Sequence, residues 1–194
     1  MKMKKIVSIA VSAILLVSIA AAGAFAAEVG PSSPTSSDKD VGTVDVSISG
    51  TGSVESLNVA AAATDAAAAQ ESALKSQGVV GYLGEQSANS AASILGVSTE
   101  QLTINGVKQL TISGYDAAME NLTVKVPFAA LPKAGTRVAV LVRLQNGGDV
   151  ILDGVVVEDT VNATKVSKVQ LTMSGAVATS VQAGTAFVAA VTTK

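Results

Sequence analysis

Ser72 and Lys75, in the fragment Ser72-Ala73-Leu74-Lys75, are the one enzyme-like pair in this chain of 194 residues. Positions i and i+3 share a helix face, so Lys75 would lie near the Ser72 hydroxyl and take its proton, as acyl transfer by a Ser-x-x-Lys pair requires. Ser87-Ala88-Asn89 would be a second element. No Lys-Thr-Gly strand accompanies them, and four-residue matches arise readily by chance, so two solvated positions on an Ala-rich helix are the favoured reading.

Carboxylates give a second candidate set: Asp38 and Asp40, or Asp149, Asp153, Glu158 and Asp159 near strand ends. Oxygen ligands of this type bind calcium, and two carboxylates ~5–9.5 Å apart across a cleft can hydrolyse a glycosidic bond. No twelve-residue calcium loop with its central Gly is present, so solvated turn residues are favoured over a metal site. Sugar recognition normally uses flat aromatic faces, and few are on offer. The segment after residue 26 carries only Tyr82, Tyr115, Phe128 and Phe187. The phenylalanines fall at strand-rich positions and are read as core, leaving Tyr82 and Tyr115 as the candidate surface contacts.

The absences narrow the function further. The chain has no His and no Cys. Ser-His and Cys-His catalysis, the usual zinc and haem ligand sets, and disulfides are therefore excluded together. No phosphate-binding Gly-rich loop precedes a helix, so no nucleotide cofactor is expected, nor any other.

The N-terminus carries a secretory layout. Lys2, Lys4 and Lys5 precede an uncharged run from Ile6 to Ala22, and Ala24-Phe25-Ala26 supplies a small-x-small cleavage site. The 17-residue run approaches the ~20 needed for a membrane anchor. Small residues dilute its end and a polar segment follows, which favours cleavage, leaving no integral membrane segment. Residues 1–26 are thus read as a signal peptide. With no lipoprotein cysteine and no wall-sorting tail, the product is expected to be secreted, or held at the cell surface by noncovalent contacts. Removing three of the 13 basic residues leaves 10 against 15 acidic ones, a net charge of −5, and no basic cluster to neutralise the phosphates of a nucleic acid.

Residues 27–40, with Pro31 and Pro34 among Ser, Thr and Asp, read as a flexible leader. Residues 41–194 read as a single domain. Val44, Val46 and Ile48 alternate with polar residues, the period of a half-buried strand. From about 57 to 96 the composition turns to Ala, Gln, Ser and Glu. It predicts one helix over Ala60–Gln77 ended by Gly78, and a second over Tyr82–Leu95 ended by Gly96. Beyond Ser98 the pattern is β. Leu102–Ile104 and Val107–Ile112 flank Asn105-Gly106, a hairpin signal, and strands are expected over Leu122–Val126, Arg137–Leu144, Val150–Val157, Val166–Met173 and Phe187–Val191. About eight short strands with turn signals between them predict an Ig-like β-sandwich with an Ala-rich two-helix insertion near its N-terminal side.

Lys133-Ala134-Gly135-Thr136-Arg137-Val138-Ala139-Val140-Leu141, then Asn146-Gly147 and Ala186-Phe187-Val188, resemble small exported single-module proteins of Gram-positive gut bacteria. The resemblance covers roughly the last 60 residues and implies an Ig-like module behind a signal peptide. It names no activity and no site residue, and the Trp that often follows the Asn-Gly turn is missing here. The reading that results is a noncatalytic secreted or cell-envelope module with an extracellular protein or glycan as partner. The alternative is a self-assembling surface subunit in which residues 41–49 add as a strand to a neighbouring copy. A hydrolase using Ser72 and Lys75 or a carboxylate pair is the third.

Overall fold

The computed structural model describes residues 44–145, 148–161 and 164–194. The segments read as signal peptide and leader, with Asp38 and Asp40, and the Asn146-Gly147 pair lie outside the described residues. No helix among the described residues is long and apolar enough to cross a membrane.

The chain is mainly β. Eight strands are present: β1 (Asp45–Ile48), β2 (Asn58–Ala62), β3 (Leu102–Ser113), β4 (Asn121–Pro127), β5 (Arg137–Leu144), β6 (Asp149–Val161), β7 (Thr164–Ser174) and β8 (Ala186–Thr193). They form one sheet in the order β1-β4-β7-β6-β5-β8-β3-β2, antiparallel throughout. The two-sheet sandwich expected from strand spacing is replaced by this single, nearly closed, barrel-like sheet. Strand alternation and turn spacing look alike in the two architectures, because each buries one face of every strand. What separates them is which strands pair, and that is a nonlocal property.

One face of the sheet lines the interior. Val138, Val140 and Val142 of β5 meet Val188 and Ala190 of β8, Leu110 of β3, and Leu171 and Met173 of β7, all essentially solvent-free. Helix α3 (Gly175–Gln182), which the sequence pattern did not reveal, packs Ala178 and Val181 into the same cluster. Tyr115 closes it from β3's end. Its amide donates to the Gln182 side chain and its hydroxyl donates to the Glu120 carbonyl at 3.0 Å. Gly114, at φ +74°, makes this turn possible, since a Cβ there would run into the Ser56 carbonyl.

The opposite face of β5, β8 and β3 is covered by two helices, α1 (Asp65–Leu83) and α2 (Glu85–Leu95). Ala88 and Ala91 of α2 rest in a cluster with Ala139, Leu141, Ala189 and Val191. The first helix begins later than predicted. Ala60–Ala62 belong to β2, paired with Gln109–Thr111, and the helix starts at Asp65, where the Thr64 hydroxyl accepts from the Ala67 amide at 3.1 Å. Helix propensity favours Ala everywhere, but an unpaired neighbour in β3 and a Thr cap decide where it is used. At Gly78, φ 71° and ψ 173°, the backbone leaves the helical region where the sequence pattern ended its first helix, so α1 is two helical segments joined at a kink, and Gly84 separates α1 from α2.

Asn105-Gly106 is also not a hairpin turn. β3 runs through it, and the register against β8 shifts between Ile104 and Val107, a bulge with Gly106 at φ 101°. The Asn105 side chain holds the bulge by donating to the Ala130 carbonyl at 2.9 Å and accepting from the Thr192 hydroxyl at 3.2 Å.

Candidate functional site

The register of β8, β5 and β6 puts Phe187 opposite Arg143, and Arg143 opposite Asp149, in one row on the outward face. This row lies just beyond the part of the sheet that the helices cover. With Gln70 of α1, Leu144 and Gln145, the three residues line a cleft of about 600 Å³.

Its chemistry centres on Arg143. The guanidinium grips Asp149 with both nitrogens, Nε to Oδ1 at 3.0 Å and Nη2 to Oδ2 at 2.7 Å. Nη2 also donates to the Tyr82 carbonyl at 2.7 Å, and the group lies 4.4 Å above the centre of the Tyr82 ring. Hydrogen bonding to Asp149 raises the Arg143 pKa further. Burial pushes the Tyr82 hydroxyl above the usual tyrosine range, despite the lowering effect of Arg143, and that hydroxyl donates to Gln70 Oε1 at 3.1 Å. The cleft therefore offers a fixed carboxylate–guanidinium pair, two amides and the Phe187 ring, with no nucleophile among its lining residues.

The structure separates the two tyrosines expected to form a surface contact. Tyr82 is 3% exposed and belongs to the helix–sheet layer, whereas Tyr115 is 7% exposed and belongs to the barrel interior. An aromatic ring with one polar tip suits a buried site wherever that tip finds a partner, and both hydroxyls do. Phe128 is core as expected, while Phe187, read as core, is only partly buried and borders the cleft.

Ser72 and Lys75 both lie on α1, but the Ser72 hydroxyl donates to the Ala68 carbonyl at 3.0 Å, the ordinary back-bond of a helical serine. Ala88 of the Ser87-Ala88-Asn89 element is fully buried in α2. Each of the carboxylates near strand ends is held by one or two cations. Asp153 pairs with Arg137, Asp149 with Arg143, Glu158 with Lys165, and Asp159 with Lys125 and Lys168. Among the described residues no group of three or more potential ligands could hold a metal ion. Arg143, Gln70 and Gln145 were missed by sequence reasoning, since nothing local marks an Arg that meets a helix 60 residues upstream. No family model, no curated protein and no solved structure matches the chain.

Proposed function

We propose that this chain is a noncatalytic module of the secreted or cell-envelope compartment that acts by contact, taking a polyhydroxylated, glycan-like ligand in the Arg143 cleft. The observation that carries this reading is the cleft's composition: two side-chain amides, an immobilised carboxylate–guanidinium pair and one aromatic ring. Amides and paired charges exchange hydrogen bonds with hydroxyl groups, and a ring edge or face covers the apolar side of a sugar. The basic, apolar and small-residue order at the N-terminus supports export. The Ser72 back-bond supports the absence of acyl transfer.

The reading is tested by titrating the purified chain with soluble cell-wall and glycan fragments, following the cleft residues by NMR. Saturable shifts at Gln70, Gln145 and Phe187 are expected, with affinity weakened about tenfold or more, 1.4 kcal/mol, by Gln145→Ala. Turnover of any fragment that Ser72→Ala abolishes would overturn it, as would shifts confined to another surface.

A further inference from the structure

The outward face of the sheet carries a second polar cluster, on β1, β4, β7 and the opposite end of β6 from Asp149. Lys168 of β7 is 1% exposed, with Val157 of β6 and Pro127 of β4 as its cross-strand neighbours. Its Nζ lies 2.7 Å from Oδ2 of Asp45 on β1 and 3.3 Å from Oδ2 of Asp159 on β6. Lys125 Nζ approaches the other Asp159 oxygen at 3.4 Å. Asp159 Oδ2 is sealed from solvent without a well-formed hydrogen bond. Four charged groups from four strands thus form one cluster, in which two carboxylates meet an amine that water barely reaches.

Removing a salt bridge from water is unfavourable, because the lost hydration often exceeds the Coulomb gain. A primary amine and a carboxyl held together in such a site have another course: they can cease to be ions and condense. The carboxyl carbon is one bond beyond Oδ2, so a small side-chain rotation would carry the hydrogen-bonded amine onto that carbon in the ~3–3.5 Å range of a near-attack geometry. We propose that Lys168 and Asp45 join in an intramolecular isopeptide bond, with Asp159 as the general base.

The step balances without any co-reactant. A proton passes from the Lys168 ammonium to the Asp45 carboxylate, giving a neutral amine and a neutral acid. The Nζ lone pair forms the N–Cγ bond, Asp159 accepts the second amine proton, and it returns that proton to the departing Asp45 hydroxyl. The products are one amide and one water, and Asp159 emerges as it began. Burial would raise the Asp159 pKa, but hydrogen bonding to Asp45 and Lys168 and the charges of Lys125 and Lys168 outweigh this and hold it below the usual range, so Asp159 is present as a carboxylate able to accept a proton. Its Oδ2 lies 3.3 Å from Nζ, placed to receive the second amine proton. Glu158 and Lys165, at the same end of the β6–β7 hairpin, are occupied with one another at 3.0 Å. In a chain without cysteine this bond would be the covalent closure between residues 45 and 168, 123 positions apart.

Intact-mass spectrometry of the purified chain reads the bond directly. The wild type is expected to be lighter than its sequence by one water, about 18 Da. Trypsin should then fail to cut after Lys168 and should release residues 40–75 joined to residues 166–194. A succinimide loses the same water but leaves Lys168 cleavable, so the digest decides between them. Asp45→Ala and Lys168→Ala should show the full sequence mass. Asp159→Asn, near-isosteric, should keep the wild-type far-UV circular dichroism while forming the link at least about 100-fold more slowly. Full sequence mass and normal cleavage after Lys168 in the folded wild type would overturn the proposal. A folded Asp159→Asn chain that links as fast as wild type would overturn the role of Asp159.

Discussion

Two arginine–aspartate pairs on the same two strands differ mainly in exposure, and this makes a sharp test of what the cleft pair contributes. Arg143–Asp149 and Arg137–Asp153 both join β5 to β6 through two nitrogens of the guanidinium, with contacts at 3.0, 3.3 and 2.7 Å in the first and 2.8 and 2.6 Å in the second. Their side chains are 23% and 23% exposed in the first pair, against 60% and 53% in the second. Breaking a fully buried pair by removing one partner costs about 3–5 kcal/mol, because a charge is left stranded. Arg143 is only partly buried and keeps the Tyr82 carbonyl and ring as partners, so the expected cost of Asp149→Ala is smaller, about 1–2 kcal/mol. With an m value near ~2 kcal/mol/M, the urea midpoint should fall by about 0.5–1 M. Asp153→Ala should leave the midpoint within error of wild type. Repeating both melts in ~1 M NaCl, where the Debye length is about 3 Å, should leave the Asp149 effect largely intact. Equal midpoint shifts for the two variants, or loss of the Asp149 effect in salt, would refute the assignment of the difference to burial.

Three further outcomes follow from the packing. Leu141→Ala, fully buried between sheet and helices, should cost about 2–5 kcal/mol by calorimetry or urea melt and should expose the α1–α2 layer to faster hydrogen exchange than the barrel interior. Gly114→Ala combines φ +74° with a backbone collision at Ser56 and should cost well over ~1 kcal/mol in the same melt, whereas Gly84→Ala, at φ 77° with open space around it, should cost only about 1 kcal/mol. Burial raises the hydroxyl pKa of both Tyr82 and Tyr115. Unfolded tyrosine therefore loses its proton first, and stability should be constant below about pH 10 and decline as pH rises from there through the folded values. With two tyrosines and no tryptophan in the chain, near-ultraviolet titration of wild type against Tyr115→Phe reads each hydroxyl separately, and a Tyr82 midpoint at or below that of a free tyrosine would contradict the burial argument.

The strands were the readable part of the sequence. β4 and β5 lie where alternation placed them, and β7 and β8 extend only a residue or two beyond, because half-buried strands repeat every second residue whatever they pair with. Ala60–Ala62 misled for a reason internal to alanine: it is the best helix former, yet small enough to sit in any strand whose partner supplies the hydrogen bonds. Asn105-Gly106 carries the same local signal whether positive φ serves a turn or a bulge, and only the pairing with β8 decides. The cleft was barely legible. Phe187, Arg143 and Asp149 become neighbours through register, and Tyr82 joins them only because α1 crosses the strand ends. The same holds for Asp45, Lys168 and Asp159, which are scattered through the chain and look like ordinary solvated charges one at a time.

The contact of α2 with the sheet is built around alanine. Ala88 and Ala91 meet Ala139 and Ala189 in a cluster that Tyr82, Leu83, Leu141 and Val191 complete. Small side chains let a helix lie close to a strand but interlock less than large ones do. Hydrogen bonds with the strands then help set where α1 sits: the Val107 amide donates to Glu71, Thr64 at its start donates to Gln109, and Arg143 donates to the Tyr82 carbonyl of its last turn. The width of the cleft is in that sense a mechanical setting: the side chain that forms its wall is also one of the bolts that keep the helix from drifting across its opening.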